Sequence, residues 1–60
     1  MEYKVYDPQT KLTETVHYEQ VKVWVNSNSW RMAKENYATL DALQIGETKI
    51  IQGYTVSRVS

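Results

Sequence analysis

The sequence predicts a small α+β domain in which one helix packs on one face of a small antiparallel sheet of three to five strands. Three observations lead to this prediction. Aromatic and β-branched residues alternate with polar ones near both ends of the chain, a segment of helical period lies between them, and the connecting segments are short. Short connections join antiparallel neighbours. Residues 1–60 leave room for a single domain, since domains usually have about 100–150 residues.

The opening third of the chain is predicted to form a hairpin. Residues 2–6 alternate aromatic or β-branched side chains with polar ones, which is typical of a strand. Residues 7–11 follow as a turn, because Pro8 fixes its own φ and Asp7 accepts hydrogen bonds from nearby backbone N–H groups. Residues 12–18 are the second predicted strand.

The apolar pattern changes phase close to residue 18. Apolar residues stand at even positions before this point and at odd positions after it: Leu12, Val16 and Tyr18 against Val21, Val23 and Val25. A strand has a period of two, so an uninterrupted strand would exchange its buried face here. A bulge, bend or tight turn near residues 18–21 is therefore predicted. Residues 21–25 then form a third strand, or a bent extension of the second, with Trp24 and Lys22 on the face opposite the valines.

A helix is predicted over residues 29–44. The preceding segment, residues 26–29, consists of Asn and Ser, which are favoured helix N-caps. An apolar stripe with spacings of three and four follows: Trp30, Ala33, Tyr37, Leu40 and Gln44. Trp30 and Tyr37 are expected in the core. Gly46 is expected to end the helix in the left-handed conformation.

Residues 48–59 are again of β type, and two arrangements fit them. One is a hairpin with Gln52 and Gly53 at its turn, although Gln is disfavoured where a type I′ turn needs a positive φ. The other is a single strand with a bulge at Gly53. The predicted order is β-β-β-α-β, with an extra final strand if the hairpin forms.

The composition argues against several classes of function. Seven basic and seven acidic residues cancel, which disfavours binding to nucleic acid or anionic lipid by general electrostatics. The chain has no cysteine and a single histidine, His17, so no cofactor or metal is expected. The longest apolar runs have two or three residues and no signal peptide is recognisable, so no membrane partner and a cytoplasmic location are expected.

Catalysis is not indicated either. His17 has no nucleophile–base pattern around it, and Gly46 and Gly53 stand apart with no glycine-rich phosphate loop. A domain of this size rarely contains a deep pocket. The sequence therefore predicts a protein that is not an enzyme.

The aromatic residues provide the first functional hypothesis. The chain has five Tyr, two Trp and no Phe, and amphipathic aromatics are enriched in interfaces. The hypothesis is a non-enzymatic binding or accessory module for a protein partner, a regulator from a bacterial or mobile-element genome such as a phage or prophage. Its predicted anchor is an open sheet face carrying Trp24, Lys22 and Tyr6.

Two alternatives remain open at this point. A DNA-binding regulator would use the outer helix face near its N-terminus, with Asn28, Arg31 and Lys34 as the contact residues. A structural homo-oligomer, such as a homodimer, would associate through an edge strand or the open sheet face.

Overall fold

The computed structural model, which describes all 60 residues, has the predicted fold class but a different order of elements. Along the chain the elements are β1 (Glu2–Asp7), β2 (Leu12–His17), α1 (Tyr18–Trp24), α2 (Trp30–Ala42), β3 (Thr48–Ile51) and β4 (Tyr54–Arg58). The strands form one antiparallel sheet in the spatial order β2-β1-β4-β3. The first and last strands are therefore the central pair, and β2 and β3 are the edges.

Both helices pack on the same face of the sheet. Eight buried residues from the two layers form one hydrophobic cluster: Tyr3, Val5, Val21, Val25, Leu40, Leu43, Ile51 and Val56. Side chains alternate between the faces of a strand, so the intervening residues Lys4 and Tyr6 point to the other face. No element of the chain covers that second face.

The predicted third strand is wrong, because residues 21–24 continue a helix that begins at Tyr18, and Val25 is the C-cap of this helix. Val21 and Val25 are fully buried and lie one helical turn apart, whereas Val23 is 68% exposed on the far side of α1. The phase change near residue 18 is therefore a change of period from two to 3.6, and no bulge is needed. His17 marks the junction, since its extended backbone caps the first turn of α1.

Helix α2 lies within the predicted range and begins after the predicted cap. The Ser29 hydroxyl accepts a hydrogen bond from the Met32 N–H, which ties down the first turn. Gly46 has a φ of +90°, but it lies beyond the Leu43 cap, in the turn that leads into β3. The prediction that Gly46 ends the helix is therefore wrong, while its left-handed conformation is confirmed.

The last third of the chain forms the hairpin and not the single bulged strand. Gln52 and Gly53 connect β3 to β4, with φ values of +52° and +84°, as a type I′ turn requires. Gln52 is unusual at this position, and a tertiary contact explains its presence. Its Oε1 atom accepts a 2.8 Å hydrogen bond from Nδ2 of Asn36 in α2, so the side chain joins the turn to the helical layer.

The first hairpin forms as expected. The Asp7 carboxylate accepts a hydrogen bond from the Gln9 N–H, and Lys11 closes the turn with a φ of +60°. Of the two helices the longer has 13 residues, and neither combines the length and apolar character needed to cross a membrane.

Candidate interaction surface

Trp24 and Lys22, two of the three predicted anchor residues, lie in the helical layer. Trp24 is half-buried against the core, and its indole stacks on the Tyr54 ring at 6.0 Å between centroids and 15° between planes. The Lys22 ammonium lies 5.0 Å from the centre of the Tyr37 ring and 5.6 Å from that of Tyr18. The placement predicted for Trp24 and Lys22, on an open sheet face, is wrong because their segment is helical.

Tyr6, the third predicted anchor, does lie on the uncovered sheet face. It is in β1 and 37% exposed, and its register neighbours are Thr13 on β2 and Thr55 on β4. Ile50 on the edge strand β3 is opposite Thr55 and is 77% exposed. The structure therefore separates the predicted anchor residues, with Tyr6 on one side of the sheet and Lys22 and Trp24 on the other.

Trp30, which was predicted to lie in the core, is the most exposed aromatic residue of the chain at 71%. It is the first residue of α2, and the buried stripe of this helix begins one turn later, at Ala33, and continues through Asn36 and Leu40. The stripe predicted from the sequence was extended one turn too far toward the N-terminus. Tyr37, the other aromatic residue of that stripe, packs against the core as expected.

Two exposed basic residues, Arg31 and Lys34, lie beside Trp30. The guanidinium of Arg31 lies 5.5 Å from the centre of the indole, within the range of a cation–π interaction. Lys34 is exposed one turn along the helix on the same side as Trp30, whereas the exposed Met32 lies about 160° around the helix from Trp30. We refer to Trp30, Arg31 and Lys34 as the Trp30 surface.

The electrostatic character of this end of α2 is positive. No acidic residue lies in the first turn of the helix, so the partial positive charge of the helix N-terminus adds to Arg31 and Lys34. Asn28, in the loop just before the helix, is exposed as well. The three residues predicted as a nucleic-acid face, Asn28, Arg31 and Lys34, are thus brought together at one accessible end of the molecule.

Tyr18 has a strongly perturbed ionisation, and the cause is structural. Its hydroxyl donates a hydrogen bond to the Asp41 carboxylate of α2. This bond, together with burial and the negative charge of Asp41, raises the pKa of Tyr18 to about 12. A neutral phenol held to a carboxylate joins α1 to α2, and this interaction explains the perturbation without any catalytic role.

The surface has two open depressions at the end of the molecule where Gln52 lies, and polar residues form most of the lining of the second. Their volumes are about 130 Å³ and about 290 Å³, and the first is lined by the two strand turns. The second is lined by the loop between the helices, with Gln52 at its edge. Binding pockets for drug-sized ligands usually have about 300–1,000 Å³ and are mostly apolar. No group of three or more acidic or histidine side chains is placed to hold a metal ion.

The chain was also compared with known proteins. No protein-family model, no curated protein and no solved structure gives a significant match. The geometry of the chain's own residues is therefore what indicates a function.

Proposed function

We propose that the chain is a small protein-binding module whose contact area is the Trp30 surface. The observation that supports this proposal is the exposure of Trp30 in a domain that half-buries its other tryptophan. An indole left in water does not contribute the stabilising free energy of about 1.5–3 kcal/mol that burial of a large apolar side chain provides. This amount is large for a domain of 60 residues. Tryptophan and arginine are also the residue types most enriched in binding hot spots.

The chemistry of the Trp30 surface indicates what its partner offers. The indole needs an apolar cleft, and the nearby Arg31 and Lys34 need carboxylates or carbonyl groups around that cleft. A partner with an apolar pocket rimmed by acidic side chains meets both requirements. In this proposal the module acts by occupying such a surface and performs no catalysis, as an accessory or regulatory protein would. A cytoplasmic setting suits a chain without cysteine.

Affinity capture tests the proposal with a matched pair of variants. The tagged wild type, Trp30→Ala and Ile50→Ala are incubated with a nuclease-treated lysate of the organism that encodes the chain. Both substitutions remove an exposed apolar side chain, but Ile50 is on the uncovered face of the sheet and Trp30 is in the helical layer. A protein recovered with the wild type and Ile50→Ala and lost with Trp30→Ala supports the proposal. Equal recovery by all three forms contradicts it.

Nucleic-acid binding is the second candidate, favoured by the joint exposure of Asn28, Arg31 and Lys34 beside an indole that could stack on a base. In that case the affinity of the protein for DNA would fall steeply as the salt concentration rises, because each contact with a phosphate releases counterions. A double variant, Arg31→Gln with Lys34→Gln, should then lose retention on a DNA column at low salt. The second candidate is contradicted if a protein is still captured after nuclease treatment and the double variant captures it as well as the wild type does.

A further inference from the structure

The two edges of the sheet differ in how well they are protected from pairing. Strand β3 has four residues and includes Lys49. Strand β2 has six residues, of which only Val16 is even half-buried, and it contains no proline, lysine or arginine. Edge strands are usually protected by short length, charged side chains (lysine above all, or a charge that points inward), proline, a bulge or a covering element. Apart from Glu14, β2 has none of these features along its length.

The hydrogen-bond pattern shows which backbone groups of β2 are free. The Val59 N–H donates to the Glu2 carbonyl at 2.9 Å, so the first residue of β1 bonds toward β4. Bonding direction alternates along an antiparallel strand, and Tyr3 therefore bonds toward β2, where its register partner is Val16. By the same alternation, the even-numbered residues of β2 bond to β1. The odd-numbered residues, Thr13, Thr15 and His17, direct their N–H groups away from the sheet.

We infer that the free edge of β2 pairs with β2 of a second copy of this chain, extending the sheet across a twofold axis. This inference is independent of the function proposed above and uses a different part of the molecule. A six-residue antiparallel edge is complementary to itself under a twofold rotation. The copies do not repel each other through net charge, since the chain has none.

The charge of Glu14 selects the register of this pairing. One register sets Glu14 directly opposite Glu14 of the second copy, which is unfavourable for like charges. The next register places Thr15 on the axis. It pairs Thr13 with the second copy's His17 and Glu14 with the second copy's Val16. Leu12, which is 62% exposed, then lies diagonal to Val16 of the second copy, on the helix side of the sheet.

The second register also uses the free backbone groups efficiently. The two Thr15 residues exchange a pair of backbone hydrogen bonds across the axis, and each His17 N–H donates to the Thr13 carbonyl of the other copy. The His17 carbonyl accepts the first bond of α1 as the N-cap residue, so the Thr13 N–H of the other copy is the one free N–H that gains no bond in this register. The open-face side chains of Thr13, Thr15 and His17 then continue the uncovered face of the sheet without interruption.

Placing one residue on a twofold axis gives an unusually specific test. Because Thr15 faces its own copy, Thr15→Lys opposes two ammonium groups and Thr15→Glu opposes two carboxylates. Each variant alone is expected to be a monomer, whereas an equimolar mixture of the two is expected to form a heterodimer. Thr48→Lys is the matched control, since it makes the same change at an exposed residue of the other edge strand.

The measurement is sedimentation equilibrium over a range of chain concentrations, with circular dichroism to verify folding. The wild type and Thr48→Lys should reach twice the 7.0 kDa chain mass. A wild type that stays monomeric up to about 1 mM overturns the inference. So does a Thr15→Lys variant that dimerises like the wild type, a mixture of the Thr15 variants that stays monomeric, or loss of the dimer in Thr48→Lys.

Discussion

Replacing each tryptophan by alanine should have opposite consequences for stability and binding. Trp24 is half-buried, packs against the core and stacks on Tyr54, whereas Trp30 is mostly in water. We therefore expect Trp24→Ala to destabilise the fold strongly and Trp30→Ala to leave it almost unchanged. The sequence pattern predicts the reverse, with Trp30 in the core and Trp24 exposed, so the experiment separates the two interpretations.

The magnitudes follow from the contacts. Truncating a fully buried tryptophan costs about 3–5 kcal/mol, so a half-buried one should cost about 2 kcal/mol. Loss of the stack on Tyr54 adds about 0.5–1 kcal/mol. The sum of about 2.5–3 kcal/mol is half or more of the stability that a domain of this size usually has, about 3–5 kcal/mol. Trp30→Ala should change the free energy of unfolding by less than about 0.5 kcal/mol, since alanine is also a better helix former.

Urea denaturation followed by circular dichroism measures both effects, and thermal melting provides a second readout. Trp24→Ala should lower the melting temperature by about 10–20 °C. Trp24→Phe is a useful control, because it keeps an aromatic ring next to Tyr54 and should recover most of the loss. If Trp30→Ala destabilises the protein as much as Trp24→Ala does, the assignment of Trp30 to the surface is refuted.

Three further predictions concern the interior and the turns. Asn36→Ala should cost about 2 kcal/mol in urea denaturation, because the buried amide donates hydrogen bonds to a backbone carbonyl and to Gln52. The stability advantage of the wild type over Tyr18→Phe should be complete below pH 10, the ordinary pKa of Tyr, and should disappear as the pH rises toward 12. The raised pKa of Tyr18 means that the folded state holds this proton more tightly than the unfolded state. Gly53→Ala should lower the denaturation midpoint by the equivalent of about 1 kcal/mol, entirely through its φ of +84°, because no neighbouring atom lies within 4 Å of the added Cβ.

Local patterns were sufficient to predict most of the fold. The alternation in β1, the turn chemistry of residues 7–11 and the cap before α2 all have causes within a few residues, and the structure contains each of them. The phase change near residue 18 was also a real signal. A seven-residue helix, however, has too few turns for its period to be distinguished in the sequence from that of a strand that follows a bulge.

The remaining features depend on tertiary contacts that no local pattern encodes. Gln52 tolerates a positive φ in a structure where its side chain bonds to Asn36, a residue 16 positions away. The exposure of Trp30 depends on where α2 meets the sheet, and the sequence stripe fits both outcomes. For the candidate site, the sequence identified Arg31, Lys34 and Asn28 as an accessible group, but it assigned the aromatic anchor to the wrong tryptophan.

The most direct test of the proposed function is to follow the Trp30 indole when a captured partner binds. In a Trp24→Phe background Trp30 is the only indole of the module, and its emission can be followed selectively if the partner carries tryptophan analogues with shifted absorption. We expect the emission of the free module to be that of an exposed indole, open to quenching by acrylamide. On addition of the partner the emission should shift to the blue and become protected from acrylamide. An indole that remains equally accessible in the complex would contradict the assignment of the Trp30 surface as the contact area.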